Sequence, residues 1–125
     1  MSHFTSIQTQ IKDPDALREA CTELGLELVA NAEARGYGEQ RQRGDFVIRL
    51  KGPYDVALQR QPDGTFGLVA DQWDGHVEQE LGPNFGRLLQ LYAVHKATRE
   101  GRKRGLSVHR AQRTDGSIKL TLGVL

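Results

Sequence analysis

An α+β domain is the fold class this sequence predicts, with an antiparallel or mixed sheet of about six to seven strands and two helices on one face. Three observations carry that prediction. Short segments of alternating polarity recur between turn signals, two stretches switch to helical spacing, and the element order reads β-α-β-β-β-β-α-β-β.

Residues 3–11 alternate, with Phe4, Ile7, Thr9 and Ile11 among polar neighbours, and form the first expected strand. Asp13-Pro14-Asp15 is a helix start: Asp13 accepts from the free amides of the first turn, and Pro14 suits the first helical position. Leu17, Ala20, Cys21 and Leu24 then make one apolar stripe, and Gly25 ends it. Leu26–Ala32 is expected as a second strand. The polar run from Arg35 to Gly44 interrupts the pattern, too long for a tight turn and too short to separate domains.

Phe46-Val-Ile-Arg-Leu50 resumes as a strand, and Gly52-Pro53 turns the chain. Tyr54–Arg60 and Thr65–Ala70 flank Gln61-Pro-Asp-Gly64, a hairpin signal. After an acidic stretch from Asp71 to Glu80, Gly82-Pro83-Asn84 introduces a long helix. Phe85, Leu88, Leu89 and Tyr92 make its first half apolar on one side, its end is basic, and Gly105 closes it. Leu106–Arg113 and Ser117–Val124 flank Thr114-Asp115-Gly116 as a second hairpin. The two β-α-β-β units have the outline of a repeat, although residue identities between the halves do not support duplication.

The 125 residues fit one domain, 1–125, with enough chain to bury a core without staples. A net charge of +1 and 38% hydrophobic residues exclude a disordered tail and a general polycation. No apolar run approaches the roughly 18–20 residues that span a membrane. The opening Met-Ser-His-Phe-Thr-Ser-Ile-Gln lacks the basic flank and apolar stretch of a signal peptide, and a lone cysteine forms no internal disulfide. A reducing, cytoplasmic setting is the expectation.

Several motifs are familiar in combination. The opening residues 1–13, Arg35-Gly-Tyr37, Asp45-Phe-Val-Ile-Arg49, Tyr54-Asp55, Leu68-Val-Ala-Asp71, Tyr92-Ala-Val-His95 and Asp115-Gly-Ser-Ile118 occur in order along nearly the whole chain. In this the sequence resembles a conserved cyanobacterial and algal-chloroplast family of unknown function, the hypothetical chloroplast reading frame numbered thirty-five. The resemblance implies no cofactor and no catalytic residues. Relatives sit beside genes for AAA-type ATPases, which implies an accessory or adaptor role with such an ATPase as partner, in the cytoplasm or, for algal relatives, the plastid stroma. Two features depart from the family: its members often end in an aromatic-containing tail where this sequence reads Gly-Val-Leu125, and the segment after His95 is more basic.

Candidate chemistry is sparse. Cys21 lies on the apolar stripe, the reverse of the electropositive exposure a nucleophilic thiol needs. The histidines, His3, His76, His95 and His109, have no zinc-site spacing. Asp71, Asp74 and His76, with Glu78 and Glu80, crowd hard ligands into a short segment and are the weak candidates for a metal or enzyme site. Asp71-Gln-Trp-Asp-Gly nonetheless lacks the alternating spacing of a calcium loop. His95 is expected to pack against the sheet or cap a strand end. There is no Gly-x-Ser-x-Gly elbow, and Gly36-Tyr-Gly38 precedes a strand rather than a helix, unlike a nucleotide loop.

The basic helix end is the remaining signal. Seven basic residues lie between Lys96 and Arg113, with Glu100 the lone acid before Gly101. Lys96, Arg99, Arg102, Lys103 and Arg104, together with Arg35, Arg41 and Arg43, are the candidate partner-binding residues. An acidic protein surface suits such a cluster. Nucleic acid is the alternative, because bases on phosphates release counterions. A third reading is electrostatic: cations in the last helical turn complement the helix dipole, worth about 0.3–1 kcal/mol each. The acidic 71–80 segment offers a mate for these cations within the chain or in a neighbouring copy.

Overall fold

The structure, a computed structural model, describes residues 4–124; His3 lies outside them. Seven strands and two main helices follow the expected order, joined by one further short helix. β1 (Phe4–Gln8), α1 (Pro14–Glu23), β2 (Glu27–Arg35), β3 (Arg41–Arg49), β4 (Val56–Arg60) and β5 (Phe66–Asp71) come first. α2 (His76–Leu81), α3 (Gly86–Lys103), β6 (Leu106–Gln112) and β7 (Ile118–Val124) complete the chain. The strands divide into two antiparallel sheets. Five form one sheet in the order β1-β5-β4-β3-β2, and β6 and β7 pair only with each other.

The helices form where local chemistry starts them. Asp13 Oδ1 accepts from the amides of Asp15 and Ala16 at 2.9 and 3.3 Å, and Pro14 opens α1. Leu17, Ala20 and Cys21 are buried together with Leu28, Ile48, Val56, Leu58, Phe66, Leu68, Leu88 and Tyr92, so α1 and α3 cover one face of the large sheet. Burial pushes the Cys21 thiol up to about 12, which keeps it an inert, apolar side chain. The Asp-Gly hairpins use one device twice. Asp63 Oδ1 accepts from the Thr65 amide and hydroxyl, Asp115 Oδ1 from those of Ser117, and Gly64 and Gly116 take the positive φ each turn requires.

Two expectations need correction, and one segment with no expected element acquires a structure. The polar run 35–44 is not an interruption: β2 continues to Arg35, residues 36–40 turn, and β3 begins at Arg41. Gly36 and Gly44, inside that run, are buried, and a Cβ on Gly44 would clash with the Phe46 carbonyl oxygen. Polar composition marked the exposed face of a hairpin, not a loop. The acidic stretch 71–80 is helical in its second half, with Val77 and Leu81 buried. The second β-α-β-β unit also differs from the first, because its hairpin forms a separate sheet at the end of α3 rather than joining the large one.

That hairpin docks through a missing side chain. Gly101 is buried, and a Cβ there would sit 3.1 Å from Val108 Cγ2 and 3.2 Å from Leu122 Cδ2. Arg110 anchors the hairpin to α1 with two hydrogen bonds to Glu23 at 2.9 and 2.7 Å.

Candidate functional site

Most of the charged residues that stand out in the sequence hold the fold together. Asp55 is fully buried and accepts from Arg35 Nε and Nη2 at 2.8 Å each, from Arg49 Nη1 at 3.2 Å, and from the amides of Arg35 and Leu50. Burial pushes its carboxyl up, but these hydrogen bonds, Arg35 foremost, outweigh it and hold the group below the usual carboxylate range. Arg35 also donates to the carbonyls of Leu50 and Gly52. It therefore closes the β3–β4 connection onto β2. Arg41 donates to the carbonyls of Gly38 and Gln40, trimming the neighbouring turn, and Arg43 is exposed on β3.

The acidic segment serves the same kind of role. Asp71 is fully buried, and its carboxylate accepts from the amides of Tyr37 and Trp73 at 2.7 and 2.9 Å. Glu80 accepts from the amides of Lys51 and Gly52. Asp74 and His76 approach to 3.8 Å, and the His76 ring packs edge-on against Tyr54. No three His, Cys, Asp or Glu side chains among the described residues gather as a bound cation would require.

The mate of the basic helix end is α1, not the 71–80 segment. Lys96 bridges Asp13 and Glu100 at 3.3 and 3.1 Å, and Arg99 meets Glu19 at 2.7 Å and Asp15 at 3.5 Å. His95 joins this seam rather than the sheet: Nδ1 lies 3.3 Å from Glu19 and Nε2 2.8 Å from Glu23. Arg110 holds the Glu23 carboxyl down to about 2 against its burial, with help from His95. Beyond the seam, Arg102, Lys103 and Arg104 point into solvent at the end of α3, with Lys103 3.7 Å from Glu100.

One region leaves apolar surface open beside an exposed lysine, Lys12. A groove of about 660 Å³ runs between the segment Gln8–Lys12 and the outer face of α3, floored by Leu89, Tyr92, Ala93 and Ala97 and rimmed by Lys12 and Lys96. Its wall is fixed by Tyr92, whose hydroxyl accepts from the amides of Lys12 and Asp13 at 3.0 Å each. Thr9 and Ile11 turn inward and are buried. The Thr9 hydroxyl donates to the Phe66 carbonyl, and the Ile11 carbonyl accepts from the Phe66 amide. Gln8, Gln10 and Lys12 consequently face out.

Sequence reasoning missed this groove. The available signal was Ala93 and Ala97, one turn apart beside Leu89 and Tyr92, where two methyl groups leave a notch on an otherwise bulky helix face.

Comparison with known proteins agrees with the resemblance in the motifs. Residues 20–121 match the family described as "Protein of unknown function (DUF1257)". The chain belongs to that family. A relative is the "Uncharacterized protein ycf35" of Pyropia yezoensis, 34% identical over 122 residues that cover 96% of this chain and 94% of the relative. The protein of the same name from Guillardia theta is 30% identical over 126 residues, covering 98% and 96%. No solved structure matches the chain. The motifs shared in the resemblance fall largely on structural contacts: Arg35, Arg49 and Asp55 meet in one knot, Asp71 caps Tyr37, Tyr92 holds the segment before α1, and Asp115 shapes the β6–β7 turn.

Proposed function

We propose that this family member is a non-enzymatic adaptor that binds another protein through the groove between Gln8–Lys12 and α3. The groove itself carries the reading. It combines an apolar floor, a wall pinned by Tyr92 and a basic rim, which supports recognition of a ligand that is apolar and acidic. The buried carboxylates Asp55 and Asp71 are saturated by hydrogen bonds, and the Cys21 thiol is shielded, so the groups most suited to chemistry are engaged in structure. An ATPase of the AAA type, the partner implied by the resemblance, is the first to test. Capture from the source organism with the tagged protein as bait is expected to recover one protein near stoichiometry, with recovery lost in Ala93→Arg. Failure to recover any protein at that level with the wild-type bait overturns the adaptor reading.

A nucleic-acid role rests on Arg102, Lys103 and Arg104, which remain in solvent. Titration of labelled RNA and DNA at two salt concentrations tests it. Absence of binding at about 50 mM salt, where counterion release favours association most, ends that reading.

A further inference from the structure

We propose that the groove receives an extended peptide segment of a partner protein, added as a strand beside the β1 edge and carrying an acidic residue among apolar ones. The proposal rests on the protein-binding reading above and specifies the ligand. Among the described residues β1 is an edge strand, paired with β5 alone. Past its end, the chain continues along the groove as Thr9–Lys12, with the Phe66 contacts of Thr9 and Ile11 holding it to the sheet. The amide and carbonyl of Gln10 have no hydrogen-bond partner among the described residues, and Gln10 lines the groove. A main-chain donor and acceptor presented together by one residue are the template for one antiparallel or parallel pairing step.

The rest of the groove selects the ligand. An incoming strand places alternate side chains on one face. Here that face is Leu89, Ala93 and Ala97, whose small methyl groups allow close approach while Leu89 supplies apolar area. A helix does not fit this requirement, since its own turns consume the main-chain groups that Gln10 needs. Among the described residues, Lys12 and Lys96 are the charged side chains lining the groove, and no acid lines it. Lys96 is already bridged to Asp13 and Glu100, whereas Lys12 is exposed and makes no ion pair within 4.0 Å among the described residues, interacting with Asp63 only at longer range. Lys12 is thus the cation left for a carboxylate of the ligand.

The test uses the full chain and a phage-displayed library of short random peptides. Selected peptides are expected to share alternating apolar residues with an Asp or Glu, and to shift the amide signals of Gln10 and Ala93. By fluorescence anisotropy of a labelled selected peptide, Ala93→Trp is expected to weaken binding about tenfold or more by filling the notch. Lys12→Glu is expected to weaken it about fivefold and to flatten its salt dependence. Both positions are exposed, and unchanged circular dichroism and melting show that the variants fold. N-methylation of a central peptide amide is expected to abolish binding, a loss that side-chain docking alone does not produce. Selection of no binder, or binders indifferent to Ala93→Trp and to N-methylation, overturns the proposal. So does light scattering that shows a dimer dissociated by Ala93→Trp, which assigns the groove to a second copy. Capture of a host protein sensitive to Ala93→Arg alongside any of these failures leaves the adaptor reading standing without strand addition.

Discussion

Two regions of the large sheet, the Asp55 knot and the groove beside Gln10, treat their polar groups in opposite ways. In the knot that joins β2 to the β3–β4 connection, Arg35, Arg49 and Asp55 satisfy one another and the surrounding backbone. Just past β1, Gln10 has no hydrogen-bond partner for its amide and carbonyl among the described residues and lies beside an apolar floor, with Lys12 exposed next to it. The difference separates stability from recognition. Charged residues with obvious sequence motifs are mostly structural here, while the region open to a partner is marked by two alanines and a glutamine.

The largest expected effect breaks the closed side of this comparison. Asp55→Ala leaves the amides of Arg35 and Leu50 and two guanidinium groups without their acceptor and is expected to cost about 3 kcal/mol, measured by urea unfolding. A loss under about 1 kcal/mol would show that water replaces the carboxylate and that the knot is not a stabilising element.

Tyr92→Phe acts between the two regions, because one hydroxyl joins α3 to the segment that walls the groove. Two amides lose their acceptor, and about 1–2 kcal/mol of stability is expected to go with it. Amide exchange should rise at Lys12 and Asp13 more than in β4, which is paired on both sides.

The α1–α3 seam is tested by acid. The Glu23 carboxyl is held at about 2, below its ordinary 4.5, mainly by the Arg110 hydrogen bonds. Its contribution to stability is therefore complete above about 4.5 and is lost as pH falls through about 2. Glu23→Gln is expected to flatten the fall in stability across that window while leaving the slope due to Asp13 and Asp55, both also held low. Melting temperatures at stepped pH check this, and an identical slope in the variant would place the titration elsewhere.

The smallest stability effect belongs to the open side. Ala93→Asp, on an exposed helix position, is expected to change stability by about 0.5 kcal/mol or less while abolishing partner binding. A large loss of stability there would mean that the groove floor is a part of the core.

Much of the fold was legible because it is specified locally. Asp13-Pro14 and Gly105 bracket helices through capping chemistry, and Asp63-Gly64 and Asp115-Gly116 set turns through a side-chain acceptor and a positive φ. The polar run 35–44 misled because a two-faced strand such as Arg41-Gln-Arg-Gly reads as loop until its partner strand is known. The candidate site was less legible. Lys96, Arg99 and His95 stand out as a basic helix, and only the packing of α1 against α3 brings Asp13, Asp15, Glu19 and Glu23 to meet them.

By itself, then, the sequence determined the α+β class, the order of seven strands and two main helices, the structural character of Cys21 and the family, because those follow from nearest-neighbour chemistry and shared motifs. Tertiary structure alone decided which charges are neutralised, that β6 and β7 leave the large sheet, and that a groove opens beside Gln10. Those outcomes depend on which surfaces meet across large sequence separations, as when Tyr92 takes the amide of Lys12, and no local pattern encodes such a meeting.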